Sequence, residues 1–253
     1  MTEPEPGGGY QPQGLLARVQ EARRLRGTRA VAGDFARFGG RLLAGLPRTR
    51  AGSHGSFEFD GESYPYLFHL YKHSWLRERT VEVPVVQRIV DRQPGARVLE
   101  AGNVLSHYRP QSHLVVDKYE QAEGVVNRDI LDMGEIGSFD LIVAISTLEH
   151  VGWDEHPRRP ERALEALREL RARVRPAGRL VITHPVGYNP ALDEALREGA
   201  VPFSRAGALR RAGGGTRWRQ VPVEEAWGAP YDFLLFSARA VVIAEFRGEA
   251  APQ

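Results

Sequence analysis

The residues with the most chemical capacity in this 253-residue chain follow short apolar runs. Arg97–Ala101 encloses Glu100 and leads to Gly102-Asn103, and Leu114–Asp117 ends in an acid. Val125–Asn127 leads to Asp129-Ile130. Phe139–Ser146 leads to Thr147-Leu-Glu149-His150, and Arg179–Thr183 leads to His184-Pro-Val-Gly-Tyr188. In an open parallel sheet a ligand binds beyond the carboxyl ends of the strands, near the point where the strand order reverses. Gly102 permits a tight turn and close backbone approach to a ligand. Asp117 is an acid suited to hydrogen bonds from ribose hydroxyls. His150 is of the residue type that titrates near neutrality and acts as a base, or else it caps the segment that follows. Glu149 is a second base or a partner that orients His150 or the donor.

These residues need elements to position them. The runs carry Gly or Asp at their ends, and between the last two lies a helical segment, about Pro160 to Val174, with Leu164, Leu167, Leu170 and Val174 on one face. Apolar strands alternating with helices predict a parallel sheet covered on both faces. Pro84–Gln93 reads as a helix with Pro84 in its first turn. Beyond Pro185, helices are expected at 190–198 and 203–211, then strands at Arg217–Val223 and Ala238–Phe246, an antiparallel addition at one edge. Only about eleven residues separate Gly102 from the second strand, too few for a crossover helix with both turns. One turn at Leu105–Tyr108 is the expected substitute.

Upstream, residues 1–13 are rich in Pro, Gly and Gln and are expected to be disordered. Leu15 to Leu43 has helical spacing broken by Gly27, Gly33 and Gly39-Gly40, which predicts two short helices, and Pro47–Ser56 reads as a loop. Residues 57–75 hold seven of the chain's 22 aromatics. They either cover the sheet as core or wall a substrate pocket that includes Tyr71, His73 and Trp75. The expected organisation is a tail (1–13), a helical and aromatic cap (14–80) and a main domain (81–250).

Composition narrows the classes. There are no cysteines, which excludes disulfides and thiolate chemistry. No apolar run approaches the roughly 20 residues of a membrane span, and the N-terminus lacks the apolar core of a signal peptide, so a cytoplasmic protein is expected. The net charge of +2 implies no strong nucleic-acid field. Residues 1–50 hold nine arginines against four acids, as a docking surface or as solvated helix faces. All basic residues but Lys72 and Lys118 are arginines, read here as a high-GC genome and not as an anion site. His69 and His73 have metal-ligand spacing without the usual nearby acid, so no metal is expected. The oligomeric state stays open, a homodimer among the possibilities.

The ordered set of strand-end segments resembles the S-adenosylmethionine (SAM)-dependent methyltransferases of Rossmann-like fold. Arg97–Asn103 resembles their first motif, His113–Asp117 the second strand with its ribose-binding acid, and Asn127–Ile130 the segment that meets the adenine. Phe139–Val151 is similar to the fourth strand and the loop under the methyl donor. Leu170–Pro185 resembles the helix–turn–fifth-strand signature. Gly102–Tyr108, Val116–Glu120 and Ser146–Glu155 look like a bacterial subgroup of unassigned substrate. The resemblance implies a seven-stranded, mostly parallel sheet with helices on both faces, an antiparallel C-terminal strand pair and an N-terminal helical cap. It implies SAM as cofactor, with S-adenosylhomocysteine (SAH) as product. Glu100 would organise the first loop and reach the amino end of SAM, and Gly102 and Asn103 would pass its methionine part. Asp117 would bind the ribose, Asp129 and Ile130 would flank the adenine, and Ser146 would face the sulfonium.

The first loop departs from the family by carrying Val104 and Ser106 where further glycines are common. Arg79 is therefore a candidate for gripping the SAM carboxylate, against the alternative of an ordinary surface ion pair. The expected reaction is methyl transfer to oxygen or nitrogen of a small-molecule acceptor, a sugar or secondary metabolite. His107, His184 and Tyr188 would line its pocket, unless each is structural. A non-catalytic SAM- or nucleotide-binding regulator or scaffold is the alternative. An NAD-dependent dehydrogenase is disfavoured, because G-x-G-x-x-G is absent.

Overall fold

The computed structural model describes residues 15–50, 53–213 and 216–248; the expected tail at 1–13 lies outside them. In chain order the elements are α1 (Leu15–Arg26), α2 (Thr28–Thr49), β1 (Ser53–Phe59), β2 (Glu62–Leu67), α3 (Arg79–Asp91), β3 (Val98–Ala101), β4 (Leu114–Val116), β5 (Val125–Val126) and β6 (Phe139–Ile145). Then come α4 (Arg162–Ala172), β7 (Val174–Pro185), α5 (Pro190–Arg197), β8 (Arg205–Arg211), β9 (Trp218–Val221), β10 (Tyr231–Asp232), β11 (Ser237–Ala238) and β12 (Ala240–Arg247).

Eight strands form the main sheet in the order β5-β4-β3-β6-β7-β12-β8-β9. β5, β4, β3, β6 and β7 are parallel. β12 runs antiparallel to both β7 and β8, and β9 antiparallel to β8. The strand order reverses between β3 and β6, the switch point of a Rossmann-like α/β sheet. The seven expected strands are present, and β8 is added between β12 and β9, so the expected C-terminal pair is parted by a third antiparallel strand.

Alternation along the strands divides the core. Ile142 and Ala144 of β6 join Leu180, Ile182, Val242 and Phe246 on the face covered by α4 and α5. Leu141, Val143 and Ile145 join Val181, Val241 and Ile243 on the other face, with Val81, Val83, Val85 and Val86 of α3. Phe57, Phe59, Tyr64, Tyr66, Phe68 and Trp75 belong to that second cluster. Of the two readings of the aromatic segment, these six take the core one. They lie on the β1–β2 hairpin and the turn after it, which lie over this face of the sheet. The Tyr66 hydroxyl accepts from the Trp218 amide at 2.8 Å and so latches the hairpin to β9.

Several local expectations fail for identifiable reasons. Residues 205–211 form strand β8, not a helix, because pairing with both β12 and β9 outweighs the helical preference of Ala-Leu-Arg. α2 runs 22 residues through Gly33, Gly39-Gly40 and Pro47. Only Gly45 is held by close packing: a Cβ there would lie 2.0 Å from the Trp75 indole nitrogen, whereas Gly39 and Gly40 face open space. α3 begins at Arg79, a turn and a half before Pro84. The segment between β3 and β4 contains a single turn of 3₁₀ helix, Leu105–His107, as its length required.

Candidate functional site

All five parallel strands deliver their following loops to one edge, and there the chain is tied together by carboxylates. Gly102 (φ 86°) turns the chain out of β3. A Cβ there would lie 2.3 Å from Thr147 Oγ1, so glycine is what lets the loop after β6 approach. Glu100 is fully buried. Its Oε1 accepts from the Val104 and Leu105 amides at 2.8 Å, and its Oε2 meets His113 Nε2 at 2.8 Å. Glu100 thus organises the first loop as expected, but its oxygens are engaged within the protein.

Asp117 fastens the second loop to the first. Its Oδ2 accepts from the Asn103 amide at 3.0 Å, and its Oδ1 accepts from Tyr119 and Glu120 at 2.8 Å. Asn103 in turn donates to Glu120 at 2.9 Å, and the same carboxylate meets His107. His107 stacks on Tyr71 with ring centroids 4.0 Å apart. Glu120, which sequence reasoning passed over, is therefore a hub of this edge. Its only signal was its place three residues after Asp117. Beside it, Lys72 and His73 both hold left-handed backbone (φ 46° and 49°), which costs of order 1–3 kcal/mol per residue. Lys72 lies 5.3 Å over the Tyr71 ring and has no ion-pair partner among the described residues. Burial, then Arg79 and Arg77, lower its pKa against the pull of Glu120 and Asp117.

Asp129 caps the following turn by accepting from Leu131 and pairs with Lys118 and Arg162. Lys118 and Arg162 also hold Glu155. Ile130 is buried beneath them in the core.

The expected role of Arg79 meets a different geometry. Its guanidinium donates to Glu82 at 3.0 Å, to the Ile145 carbonyl at 2.8 Å and to the Ser146 carbonyl at 3.4 Å. Burial opposes the charge of Arg79, but Glu82 and Glu78 raise its pKa. The partner Glu82 is fully buried and also accepts from Ser146 and Thr183; burial raises its pKa, with Arg79 pulling the other way. Ser146 has φ 41° and turns its hydroxyl toward Glu82, not outward. This is an ion pair, as the second reading of Arg79 had it, but a largely buried one that supports the end of β6.

Beyond β6 and β7 a second constellation forms. His150 Nδ1 is 2.6 Å from Asp154 Oδ2, and the Tyr188 hydroxyl donates to both Asp154 oxygens at 2.8 and 2.9 Å. A carboxylate only accepts, so the His150 proton sits on Nδ1 and the Nε2 lone pair is left available. His150 is 44% exposed and packs edge-on against Tyr188. Glu149 is not its orienting partner: Oε1 lies 3.7 Å from Nε2, and Oε2 is buried without a hydrogen bond. Burial raises the Glu149 pKa well above the usual range. Asp154 takes the orienting role, and the signal for it was its i+4 spacing from His150.

The remaining expected pocket residues divide. Tyr188 reaches the constellation and lines a cavity beside it. His184 is buried on Asp193 at 2.5 Å and is structural. Trp75 is core, its indole donating to the Arg41 carbonyl, and His73 packs edge-on to Trp75 at the surface. Tyr71 and His107 belong to the Glu120 hub, beside the loops after β3 and β4. Among the described residues no group of three or more His, Cys, Asp or Glu side chains is arranged to hold a metal ion. No helix there is long and apolar enough to cross a membrane. A dinucleotide fits this edge poorly. The segment after Gly102 offers one 3₁₀ turn in place of the helix N-terminus that binds a pyrophosphate.

No family model matches the sequence, and no curated protein does. Solved structures match weakly. The N-methyltransferase NodS from Bradyrhizobium japonicum WM9, in complex with SAH, is 13% identical, with 65% of this chain and 84% of that one covered at a TM-score of 0.42. The sugar N-methyltransferase KedS8 from Streptoalloteichus sp. ATCC 53650 is 16% identical over 78% and 99%, at 0.37. An O-methyltransferase family protein from Burkholderia thailandensis is 14% identical over 67% and 58%, at 0.35. At these identities and scores the fold rests on the chain's own strand order, and the chemistry on its own side chains.

Proposed function

We propose that this chain is a SAM-dependent methyltransferase acting on an oxygen or nitrogen of a small-molecule acceptor. One observation carries the reading. At the switch point of the sheet, the Gly102 loop is fastened by Asp117 to a partly exposed carboxylate, Glu120. On the loop after β6, at the same edge, stands an oriented histidine with a free Nε2 lone pair.

The donor set suits SAM. Asp117 and Glu120 are partly exposed carboxylates, able to accept from ribose hydroxyls and from the amino group of the methionine part. Lys72 supplies the unpaired cation for the carboxylate, in place of Arg79. Asp129, steadied by Lys118 and Arg162, stands on the adenine side with Ile130 below.

When bound, SAM supplies an activated methyl on a sulfonium, transferred by in-line displacement. The chain's own contribution is alignment of the acceptor and exclusion of water. His150 takes the acceptor's proton at Nε2 as the new bond forms. Asp154 holds Nδ1–H and stabilises the imidazolium that results, and Tyr188 steadies Asp154. Thr147 and the strained Ser146 fix the loop that separates donor from acceptor.

A second reading, a nucleotide-binding regulator on the same fold, draws on the engagement of Glu100 and Arg79 inside the protein. Calorimetric titration with SAM, SAH and NAD, followed by turnover assays with labelled SAM, separates the two. Methyl transfer is the expected result. SAM binding without transfer to any acceptor in a broad panel favours the regulator, and NAD binding without SAM binding overturns both.

A further inference from the structure

A cavity of about 940 Å³ opens beside His150, between α1, the turn at 153–158 and the β10–β11 hairpin. The hairpin reaches this edge because β12 runs antiparallel to β7, with Val241 opposite Pro185. The volume lies at the upper end of small-molecule sites, which span roughly 300–1,000 Å³. One wall is a trio of rings. The Tyr188 and Tyr231 centroids are 4.9 Å apart, those of Tyr188 and Phe233 5.4 Å, and those of Tyr231 and Phe233 4.9 Å. Such a surface receives a flat or apolar ring.

The charges of the lining are unequally satisfied. Its acids are all engaged: Asp154 by His150 and Tyr188, Glu155 by Lys118 and Arg162, and Asp232 by the Leu234 and Leu235 amides. Two of its arginines are not. Arg158 lies 4.3 Å over the Trp153 ring and gives only its Nε proton, to a carbonyl. The Arg239 side chain is exposed with no hydrogen bond or ion pair among the described residues. Arg41 stands near it; burial first, and then Arg239, lower the Arg41 pKa, so like charges gather here. A guanidinium laid flat on a ring keeps its outer N–H groups for a bidentate oxyanion.

We propose that this cavity binds a small ring compound carrying an oxyanion, a carboxylate or a phosphate, with the ring on Tyr188, Tyr231 and Phe233 and the oxyanion paired with Arg158 and Arg239. Its identity as the methyl acceptor rests on the reading above; its binding does not.

The test is calorimetry on the full chain with 4-hydroxybenzoate, phenyl phosphate and the neutral 4-hydroxybenzyl alcohol, beside a separate titration with SAH. At least one anionic probe is expected to bind about tenfold or more tighter than the alcohol. The Arg158→Gln/Arg239→Gln double variant is expected to lose about that factor for the anion and stay within about twofold for the alcohol. Both arginines lie at the surface, and a thermal melt verifies that the variant folds. The tighter of the two anions identifies the oxyanion. Equal binding of anion and alcohol, an unaffected double variant, or no binding of any probe overturns the inference. SAH binding with any of those outcomes leaves methyl transfer standing and removes this ligand class. Anion binding without SAH binding does the reverse.

Discussion

Asp154 accepts from His150 Nδ1 at 2.6 Å and ties it to Tyr188, so the histidine's free nitrogen is fixed by a residue four positions later in the chain. His150→Ala is expected to lower turnover by about 10²–10⁴-fold, the span of general-base effects, with SAM affinity within about twofold. Asp154→Asn is expected to lower turnover while leaving the melting temperature nearly unchanged. Steady-state kinetics with calorimetry decide this; full turnover in His150→Ala removes it as the base.

Asp117 and Glu120 are expected to part company. Asp117 holds three backbone amides, so Asp117→Ala lowers both SAM affinity and stability, the latter by about 1–3 kcal/mol. Glu120→Gln weakens SAM binding with little change in the denaturation midpoint. SAM affinity unchanged from the parent in both variants would remove the ribose-side assignment.

Arg79→Ala leaves Glu82 buried without its cation. A loss of about 3–5 kcal/mol in urea denaturation is expected. Lys72→Gln is expected to cost no stability and to weaken SAM, but not adenosine, by about tenfold. Equal losses for both ligands would remove Lys72 from the carboxylate.

Glu149 gives a pH signature. Burial raises its pKa in the folded chain. At about pH 4 and below, folded and unfolded chains both hold the proton, and burial costs little. As pH rises, the unfolded chain ionises while the folded one retains its proton, so stability falls until the folded pKa is reached. The melting temperature of Glu149→Gln is therefore expected to match the parent near pH 4 and to exceed it progressively toward pH 8. A constant difference across that range refutes the buried, proton-holding Glu149.

The strands of this edge were legible because each carries an apolar run with a chemically capable residue at its end. Asp117, Asp129 and His150 could be placed at strand ends that way, and the missing crossover helix follows from a residue count. What was illegible depends on pairing between distant segments. β8 reads as a helix until β12 and β9 bracket it. Arg79 reads as a carboxylate grip or a surface ion pair until Glu82 and two β6-end carbonyls surround it. The cavity behind His150 is built from α1 and residues 230–236, whose convergence no local pattern encodes.

The short link between β3 and β4 has a consequence for assembly. The face that a crossover helix would shield is covered instead by α3 and the β1–β2 hairpin, made from chain that is synthesised earlier and latched through Tyr66 to Trp218, 152 positions away. A nascent chain holds those aromatics unburied until the last strands emerge. A break at the exposed Pro94-Gly95 turn would leave two pieces, each with an apolar surface matching the other. Such pieces should recombine on mixing, and a cooperative thermal melt should return only with both present.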